Sequence, residues 1–377
     1  MMKIGVALTS FYPATDYGGP VAVARQHLDS LQQLTPLEPL VMCSNVLEVA
    51  DRKYLPLDTT REAQGVKYYR SLALTRKFTG IVSLELLVKN LSAVRQCEVV
   101  HIHFAREFVP VMVALQCLLA RKPFVVQTHG MVVRKPGLFA RVLDRLVIAP
   151  ILSRASKVLY LQAEERKELQ HYTRGNLHEL PNGIELGPQA STPKTPEYNF
   201  LFLARLHPRK RVLRFIELIE GLWKQDNRVR ARIVGPDGGD LAAALQKIEA
   251  LGLQKVIEVC GPANRQQVAE HLAWTDFYLL PSLNEPFPMT VLEAFAHRRV
   301  VVACETVQIR KMLIRHDAAL LIQQNNPEAV AQILDLMHNV KRRAELIENG
   351  HRLVQEELSS RKIGEKLLTV YRSVVHG

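Results

Sequence analysis

Leu186-Gly-Pro-Gln-Ala-Ser-Thr-Pro-Lys-Thr-Pro196 divides this chain into two halves of the same kind. Three prolines among small polar residues in eleven positions do not continue a helix or a central strand, so the stretch reads as a linker. Before it, short β-branched runs alternate with stretches of helical period. The strand-like runs are Lys3–Thr9, Leu40–Cys43, Val99–His103, Phe124–Thr128 and Lys157–Leu161. Helical stretches include Val21–Leu34, Ser83–Arg95 and Phe139–Ser153. After the linker the alternation restarts, with strand-like runs Phe200–Ala204, Ala231–Val234, Val256–Val259, Phe277–Leu280, Val300–Ala303 and Ala319–Ile322. Strands and helices alternating at this spacing build βαβ units and parallel sheets. Two such series predict an α/β protein of two doubly wound domains, 1–187 and 188–357, holding ligands at the carboxyl ends of their strands. The final stretch, Val340–Val375, is helical without a strand. Its end, about 358–377, caps the second domain or packs back on the first.

Length and composition agree. The chain has 377 residues, too many for one compact core and about right for two. Apolar residues make up 47% and charged residues 23%, which excludes disordered, collagen-like and coiled-coil readings. Cysteines stand at 43, 97, 117, 260 and 304, with no CxxC, so neither a disulfide framework nor a structural zinc site is expected. The N-terminus lacks a signal-peptide pattern, and the longest uncharged apolar stretch, Phe108–Ala120, is 13 residues where a span needs ~20. A cytoplasmic protein is expected, with membrane contact at most peripheral. Net charge is +12, from 49 basic and 37 acidic residues. Residues 121–157 hold eight Lys/Arg against Asp144 alone. Such a cluster suits phosphate on nucleic acid, anionic lipid or a small molecule, or is a solvated basic face.

Candidate chemistry falls at strand ends. The first strand leads to Gly18-Gly19-Pro20 and a helix, where backbone N–H groups can meet an anion. No GxGxxG occurs, which counts against a dinucleotide dehydrogenase. His129 and Gly130 follow the fourth strand-like run. His101 and His103 share a strand face at period two, but no third ligand has recognisable spacing, so no metal site is expected. Arg205, Arg209, Lys210 and Arg211 lie between a strand end and a helix start, where cations suit a diphosphate. Glu285 and Glu293 are eight apart across a strand-to-helix junction. Phe287-Pro288-Met289-Thr290 between them offers free backbone amides, Pro288 excepted. Carboxylates accept sugar hydroxyls and a helix N-terminus accepts phosphate, a combination suited to a nucleotide sugar.

Glu285-Pro-Phe-Pro-Met-Thr-Val-Leu-Glu293 resembles the E-X7-E motif of retaining GT-B glycosyltransferases, notably glycosyltransferase family 4. Tyr17-Gly-Gly-Pro20, Val100–His103 with Thr128–Gly130, Leu180-Pro-Asn-Gly-Ile184, Ala204–Lys210 and Ile233-Val-Gly-Pro236 agree in order and spacing, so the resemblance covers nearly the whole chain. It implies two facing Rossmann-like domains with a cleft between them and a hexosyltransferase-type enzyme needing no metal or other cofactor. The donor would sit mainly on the second domain and a glycan or lipid-linked acceptor mainly on the first. Carried over, Arg205 and Lys210 hold the donor diphosphate, and Gly19 brings its N–H to the same phosphates. Glu293 takes the ribose hydroxyls. Glu285 takes sugar hydroxyls with the amides of Phe287 to Thr290, and His129 faces the reacting carbon. Backbone near Gly235 and Val259–Gly261 reads the base, with UDP-sugars favoured over GDP-mannose. The chain departs from the family at Pro286, at Ala296-His-Arg-Arg-Val300 where Ala-x-Gly-x-Pro is usual, and at Glu305–Gln308 where a glycine pair is usual. Phe139–Leu152 carries Leu143 and Leu146 among Arg141 and Arg145, a basic amphipathic pattern open to anionic lipid, and Pro150 is expected to interrupt it. A sugar-nucleotide epimerase on the same frame is the alternative enzyme. A nucleic-acid binder is the alternative from charge alone, and no reader module supports it.

Overall fold

The computed structural model describes residues 1–14, 19–57, 65–134, 137–186, 196–325 and 327–376. Gly18 and most of the linker, 187–195, lie outside the described residues. The chain divides into two compact units, one of Met1–Gly183 with Ser360–Gly377 and one of Ile184–Ser359.

The N-terminal unit is built on a parallel sheet of β1 (Met2–Ala7), β2 (Leu37–Ser44), β3 (Val66–Tyr69), β4 (Val99–His103), β5 (Phe124–Gln127), β6 (Lys157–Tyr160) and β7 (Leu177–Glu179). Their order is β7-β6-β5-β4-β1-β2-β3. Chain order reverses between β1 and β4, the switch point where such sheets open to ligands. Strand alternation assigns each face. Val100, Ile102, Phe124 and Val126 pack under α2 (Leu84–Gln96) and α3 (Phe108–Ala120), through Leu86, Val94, Val109 and Val113. Val99, Val125, Ile4 and Val6 turn to the other face. There they meet Val21 and Leu28 of α1 (Gly19–Leu34) and Ile363 and Leu367 of the C-terminal helix Ser360–Val375. Gly364 lets that helix come close, because a Cβ there would lie 2.9 Å from the Ser30 Cβ.

Three expectations change. β2 runs from Leu37 rather than Leu40, because Pro39 tolerates an extended backbone while Leu37 supplies a buried anchor. β3 and β7 are short edge strands, the first half-buried and the second largely exposed, without a strong apolar run. Pro150 does not interrupt its helix. Backbone helix continues through α4 (Leu138–Leu143), a π turn over Asp144–Ile148 and α5 (Ala149–Arg154). The wider turn, with Ala149 N–H bonded to Asp144 C=O, accommodates the proline that follows.

The C-terminal unit repeats the scheme with β8 (Tyr198–Leu203), β9 (Val229–Val234), β10 (Ile257–Gly261), β11 (Phe277–Leu280), β12 (Val300–Cys304) and β13 (Leu320–Ile322). The order β10-β9-β8-β11-β12-β13 puts its switch point between β8 and β11. α7 (Val212–Gln225) packs Phe215, Ile216 and Ile219 against Phe200, Phe202 and Phe277, all fully buried. Each such side chain contributes ~1.5–3 kcal/mol of burial. The other helices are α6 (Ala163–Leu169) in the N-terminal unit and, in this one, α8 (Leu241–Ala250), α9 (Arg265–Trp274), α10 (Met289–Ala296), α11 (Arg310–Arg315), α12 (Ala329–His338) and α13 (Val340–Leu353).

Candidate functional site

In the C-terminal unit, the switch point brings together two of the expected residues. The chain leaves β8 at Ala204, and backbone bonds staple the next segment to the loop after β9. Leu206 N–H donates to Pro236 C=O at 2.9 Å, while Gly238 N–H and Asp240 N–H both donate to Leu206 C=O at 3.0 Å. Arg205 lays its stem on Gly238, where a Cβ would come within 2.8 Å of the arginine Cγ. Its guanidinium is exposed and has no partner among the described residues. A single 3-10 turn, Pro208–Lys210, follows, capped by His207 Nδ1 accepting from Arg209 N–H. That turn directs Lys210 back over the sheet end, where Nζ donates to Glu285 Oε2 at 2.6 Å. The Arg209 guanidinium stands 4.0 Å from the same oxygen. Arg211 does not join them. It takes a left-handed backbone, φ 58, and donates instead to Gln324 C=O and Asn325 Oδ1.

Glu285 is 8% exposed, and its loop is held on both sides. Leu283 N–H donates to Arg209 C=O, Asn284 N–H to Thr306 Oγ1 and Gln308 N–H to Glu285 C=O. Glu305–Gln308, where the family usually has glycines, thus braces this loop through the Thr306 hydroxyl and the Gln308 backbone amide. Asn284 adopts φ 50, a left-handed conformation that Asn tolerates. Phe287 and Pro288 are buried, and Pro288 caps α10. Met289 and Thr290 open the helix, whose first-turn amides have no intrahelical acceptors. Thr290 Oγ1 and Tyr278 OH share a hydrogen bond of 2.5 Å, fixing the helix start to β11.

Glu293 lies one turn into α10 and is half-buried. Burial pushes its carboxyl up to about 7, with the positive charge of Arg265 opposing. The departure at Ala296–Val300 is accommodated locally. Arg298 takes φ 56, the backbone a glycine would adopt, and pairs with Glu348 at 2.9 Å. Gly235 and Val259 lie where β9 and β10 lose register. Ile233 pairs with Val259 but Val234 with Gly261, so Cys260 is an extra residue and its backbone leaves the ladder.

In the N-terminal unit, Gly19 begins α1, and a Cβ there would meet nothing within 4 Å. Its expected partner Gly18 is outside the described residues. His129 follows β5 with φ 51, a conformation rare for a residue with a side chain, and Gly130 continues the turn at φ 71. Glu165, which the sequence reading did not single out, holds this turn. Its carboxylate accepts from Thr128 Oγ1 and Gly130 N–H at 2.5 Å and from Leu161 N–H at 2.6 Å. The His129 Nε2 meets His103 Nδ1 at 2.7 Å. Desolvation and the neighbouring His27 lower His129 to about 3, so its imidazole is neutral at neutral pH. A groove of about 790 Å³ in this unit is lined by Arg134, Arg141, Arg145, Asp144 and Tyr172, among others. At its edge Arg106 forks Asp144 at 2.7 and 2.9 Å and also donates to Tyr172 OH. All five cysteines are free.

Comparison with known proteins agrees with this architecture. Residues 185–353 match the family described as Glycosyl transferases group 1, and residues 17–187 match Glycosyltransferase Family 4. Over 99% of both chains, this protein is 25% identical to the Bacillus subtilis glycosyltransferase TuaC, whose name assigns it provisionally to teichuronic acid biosynthesis. It is 30% identical to the exopolysaccharide phosphotransferase SCO2592 of Streptomyces coelicolor over 58% of this chain, but over 22% of that protein. It is likewise 30% identical to a D-inositol 3-phosphate glycosyltransferase of Streptomyces griseus over 36% of this chain and 30% of the relative. The fold is similar to that of Anabaena Alr3699/HepE, solved with UDP, at a TM-score of 0.75, 16% identity and coverage of 99% and 100%. It is also similar to sucrose-phosphate synthase of Thermosynechococcus elongatus, at a TM-score of 0.71 and 16% identity over both whole chains. The two family models together run from residue 17 to residue 353, on two Rossmann-like parallel-sheet units. The chain is a group 1 glycosyltransferase of the GT-B fold, an enzyme with relatives in polysaccharide biosynthesis.

Proposed function

We propose that the enzyme is a retaining glycosyltransferase using a nucleotide-sugar donor, a UDP-sugar first and GDP-mannose second. Its acceptor would be a glycan, glycolipid or lipid-linked precursor of a cell-surface polysaccharide or lipopolysaccharide. The observation that carries this reading is the Lys210–Glu285 pair beside the start of α10, at the switch point of the C-terminal sheet. It combines cation, carboxylate and free amides, which suit diphosphate and sugar hydroxyls. Relatives solved with UDP and with UDP-glucose support the choice of donor.

In this reading Arg205 and Lys210 take the diphosphate, with Gly19 as a further amide donor, and no metal is required there. Glu285 takes sugar hydroxyls, helped by backbone at Phe287, Met289 and Thr290, while Glu293 takes the ribose. The base lies against backbone at Gly235 and Val259, where the bulge at Cys260 leaves polar groups outside the ladder. The C1–O bond to the β-phosphate breaks and the acceptor oxygen bonds C1 on the same face. The leaving phosphate oxygen takes the acceptor proton, and Lys210 and Arg205 stabilise the charge left on the diphosphate. Neutral His129 sits by the donor sugar as a hydrogen-bonding group rather than a cation.

The acceptor reading rests on the helical run Leu138–Arg154. Leu138, Val142 and Leu146 are 72, 46 and 69% exposed, beside exposed Arg141 and Arg145. Apolar and basic residues together on one wet surface support adhesion to anionic lipid at the cytoplasmic face of a membrane. No helix among the described residues is long and apolar enough to cross one.

The test is a thermal-shift panel of nucleotide sugars and nucleoside diphosphates in metal-free buffer. A ligand selective for the folded state raises stability by RT ln(1 + [L]/Kd). One UDP- or GDP-sugar and its diphosphate should raise the melting temperature together. A rise only with nucleic acid or polyphosphate would overturn the donor assignment.

Glu293 adds a pH signature. Its carboxyl ionises near 7, and ribose hydroxyls bond better to a carboxylate than to a neutral acid. Donor affinity should therefore weaken about tenfold as pH falls from 8 to 6. Glu293→Gln should bind donor weakly at both values and flatten the profile. Its stability should move the other way. A raised carboxyl pKa means ionisation costs folding stability above ~4.3, with the cost complete above about 7. The variant should melt no lower than wild type at pH 8. An unchanged pH profile in Glu293→Gln would remove this residue from the site.

A further inference from the structure

We propose that His27, His101 and His103 form a buried site for one divalent transition-metal ion, with Zn2+ as the reference occupant. His101 and His103 come from alternate positions of β4 and share its α1-covered face, while His27 descends from α1. They are 1, 1 and 3% exposed. Each offers a ring nitrogen, and the three nitrogens lie within 4.8 Å of one another. The spacing 27, 101, 103 carries no motif, so the third ligand is visible only once α1 is packed on the sheet.

The hydrogen bonds decide which atoms are available. His101 Nδ1 is engaged by Tyr371 OH at 2.7 Å, and His103 Nδ1 by His129 Nε2 at 2.7 Å. His101 Nε2, His103 Nε2 and both nitrogens of His27 are buried without a partner among the described residues. Buried polar atoms left without a partner destabilise the fold, and a bound ion would satisfy them. A histidine ligand characteristically commits its other nitrogen to an outer partner that fixes the ring, which is what Tyr371 and His129 do for two of the three. The rings of His101 and His103 stack at 4.6 Å, and His27 stacks on His101 at 5.9 Å. Zn–N bonds of ~2.0–2.1 Å set ligand nitrogens ~3.4 Å apart in a tetrahedral site, so the rings close by about an ångström on binding. Gln127, fully buried beside His101, offers a carboxamide oxygen for a fourth position. Imidazole ligands select zinc and its neighbours over magnesium or calcium.

The ion has a consequence beyond cross-linking α1 to β4. Coordination through Nε2 obliges His103 to carry its proton on Nδ1. That N–H then donates to His129 Nε2, and His129 must carry its own proton on Nδ1. His103 is in this sense a positioning residue for His129, and the ion takes no part in donor chemistry.

The test uses tag-free full-length protein, stripped with chelator and titrated with Co2+ and then Zn2+. One equivalent of Co2+ should bind with the strong visible ligand-field band of a tetrahedral nitrogen site and without a thiolate charge-transfer band. Zn2+ should displace it, raise the melting temperature and survive dialysis at one ion per chain. His27→Leu, and His27→Gln if the first does not fold, should abolish retention. Histidine 15N spectra of wild type should show Zn2+ shifting these three imidazoles together, which decides the matter if neither variant folds. Folded wild type that retains no ion, or retention unchanged in the His27 variants, or shifts confined to other histidines, would each overturn the proposal.

Discussion

Lys210→Ala should turn over about 100 to 1000 times more slowly than wild type, the range seen when one preorganised group that stabilises a transition state is removed. Its affinity for the free nucleoside should stay within a few-fold. The asymmetry follows from where the ammonium sits. Lys210 is held at 2.6 Å from Glu285 by a capped 3-10 turn, and that turn is braced through Arg209 C=O to the Glu285 loop. A cation fixed before the donor arrives needs no reorganisation as negative charge develops on the leaving diphosphate. Its ammonium is committed to Glu285, away from the backbone around Gly235 and Cys260 where the base is proposed to lie. Lys210→Arg should recover part of the rate, since charge is kept but the fork differs from a point charge. Arg209, at 4.0 Å from the same carboxylate, is too exposed to take over. Steady-state kinetics with the donor found by thermal shift, together with the binding constant for its nucleoside, make the measurement. A variant with unchanged kcat would take Lys210 out of the mechanism, and a loss confined to nucleoside binding would move it to the base.

How much of this was legible beforehand depended on sequence distance. Lys210 and Glu285 could be anticipated because each lies in the loop that leaves a strand, and strand ends at a switch point meet whatever the intervening length. β4 and β5 announced themselves as Val99–His103 and Phe124–Gln127, because strands buried on both faces must be apolar almost throughout. β3 and β7 did not, since Val66–Tyr69 and Leu177–Glu179 lie at sheet edges and need no apolar run. The π turn before Pro150 was hidden because a proline signals a missing N–H, not how the backbone absorbs it. Arg298 illustrates the opposite case. The missing glycine was visible, but its tolerance depended on a left-handed arginine anchored by Glu348, fifty residues away. Glu165 was invisible for a related reason. A glutamate in the first turn of α6 is ordinary helix chemistry, and only the fold shows that it accepts from the His129 turn.

Gly235→Ala should unfold the C-terminal unit ~10 °C below wild type and abolish donor-induced stabilisation. Gly235 has φ +147, and a Cβ there would run into the Ala204 carbonyl, with the carbonyl carbon 2.7 Å and Arg205 N 3.3 Å away. These are backbone atoms at the end of β8, so no side chain can swing aside. Relief requires the β9 loop to lift off, and two bonds are at stake, Gly235 N–H to Gly261 C=O at 2.8 Å and Ala204 N–H to Val234 C=O at 3.0 Å. Backbone strain, steric displacement and lost bonds together amount to roughly 3–5 kcal/mol, at the upper end for a single substitution. At about 2–4 °C per kcal/mol for a unit of this size, the expected shift follows. Gly239→Ala is the internal control. It also has positive φ, +115, but a Cβ there meets nothing within 4 Å, so it should cost only the conformational penalty of ~1–2 kcal/mol. If both variants melt alike, the Ala204 contact carries no weight and the loop has room to move. If only Gly235→Ala melts early and also loses its response to the nucleoside diphosphate, the same close approach that stabilises the sheet also shapes the backbone on which the base is proposed to rest.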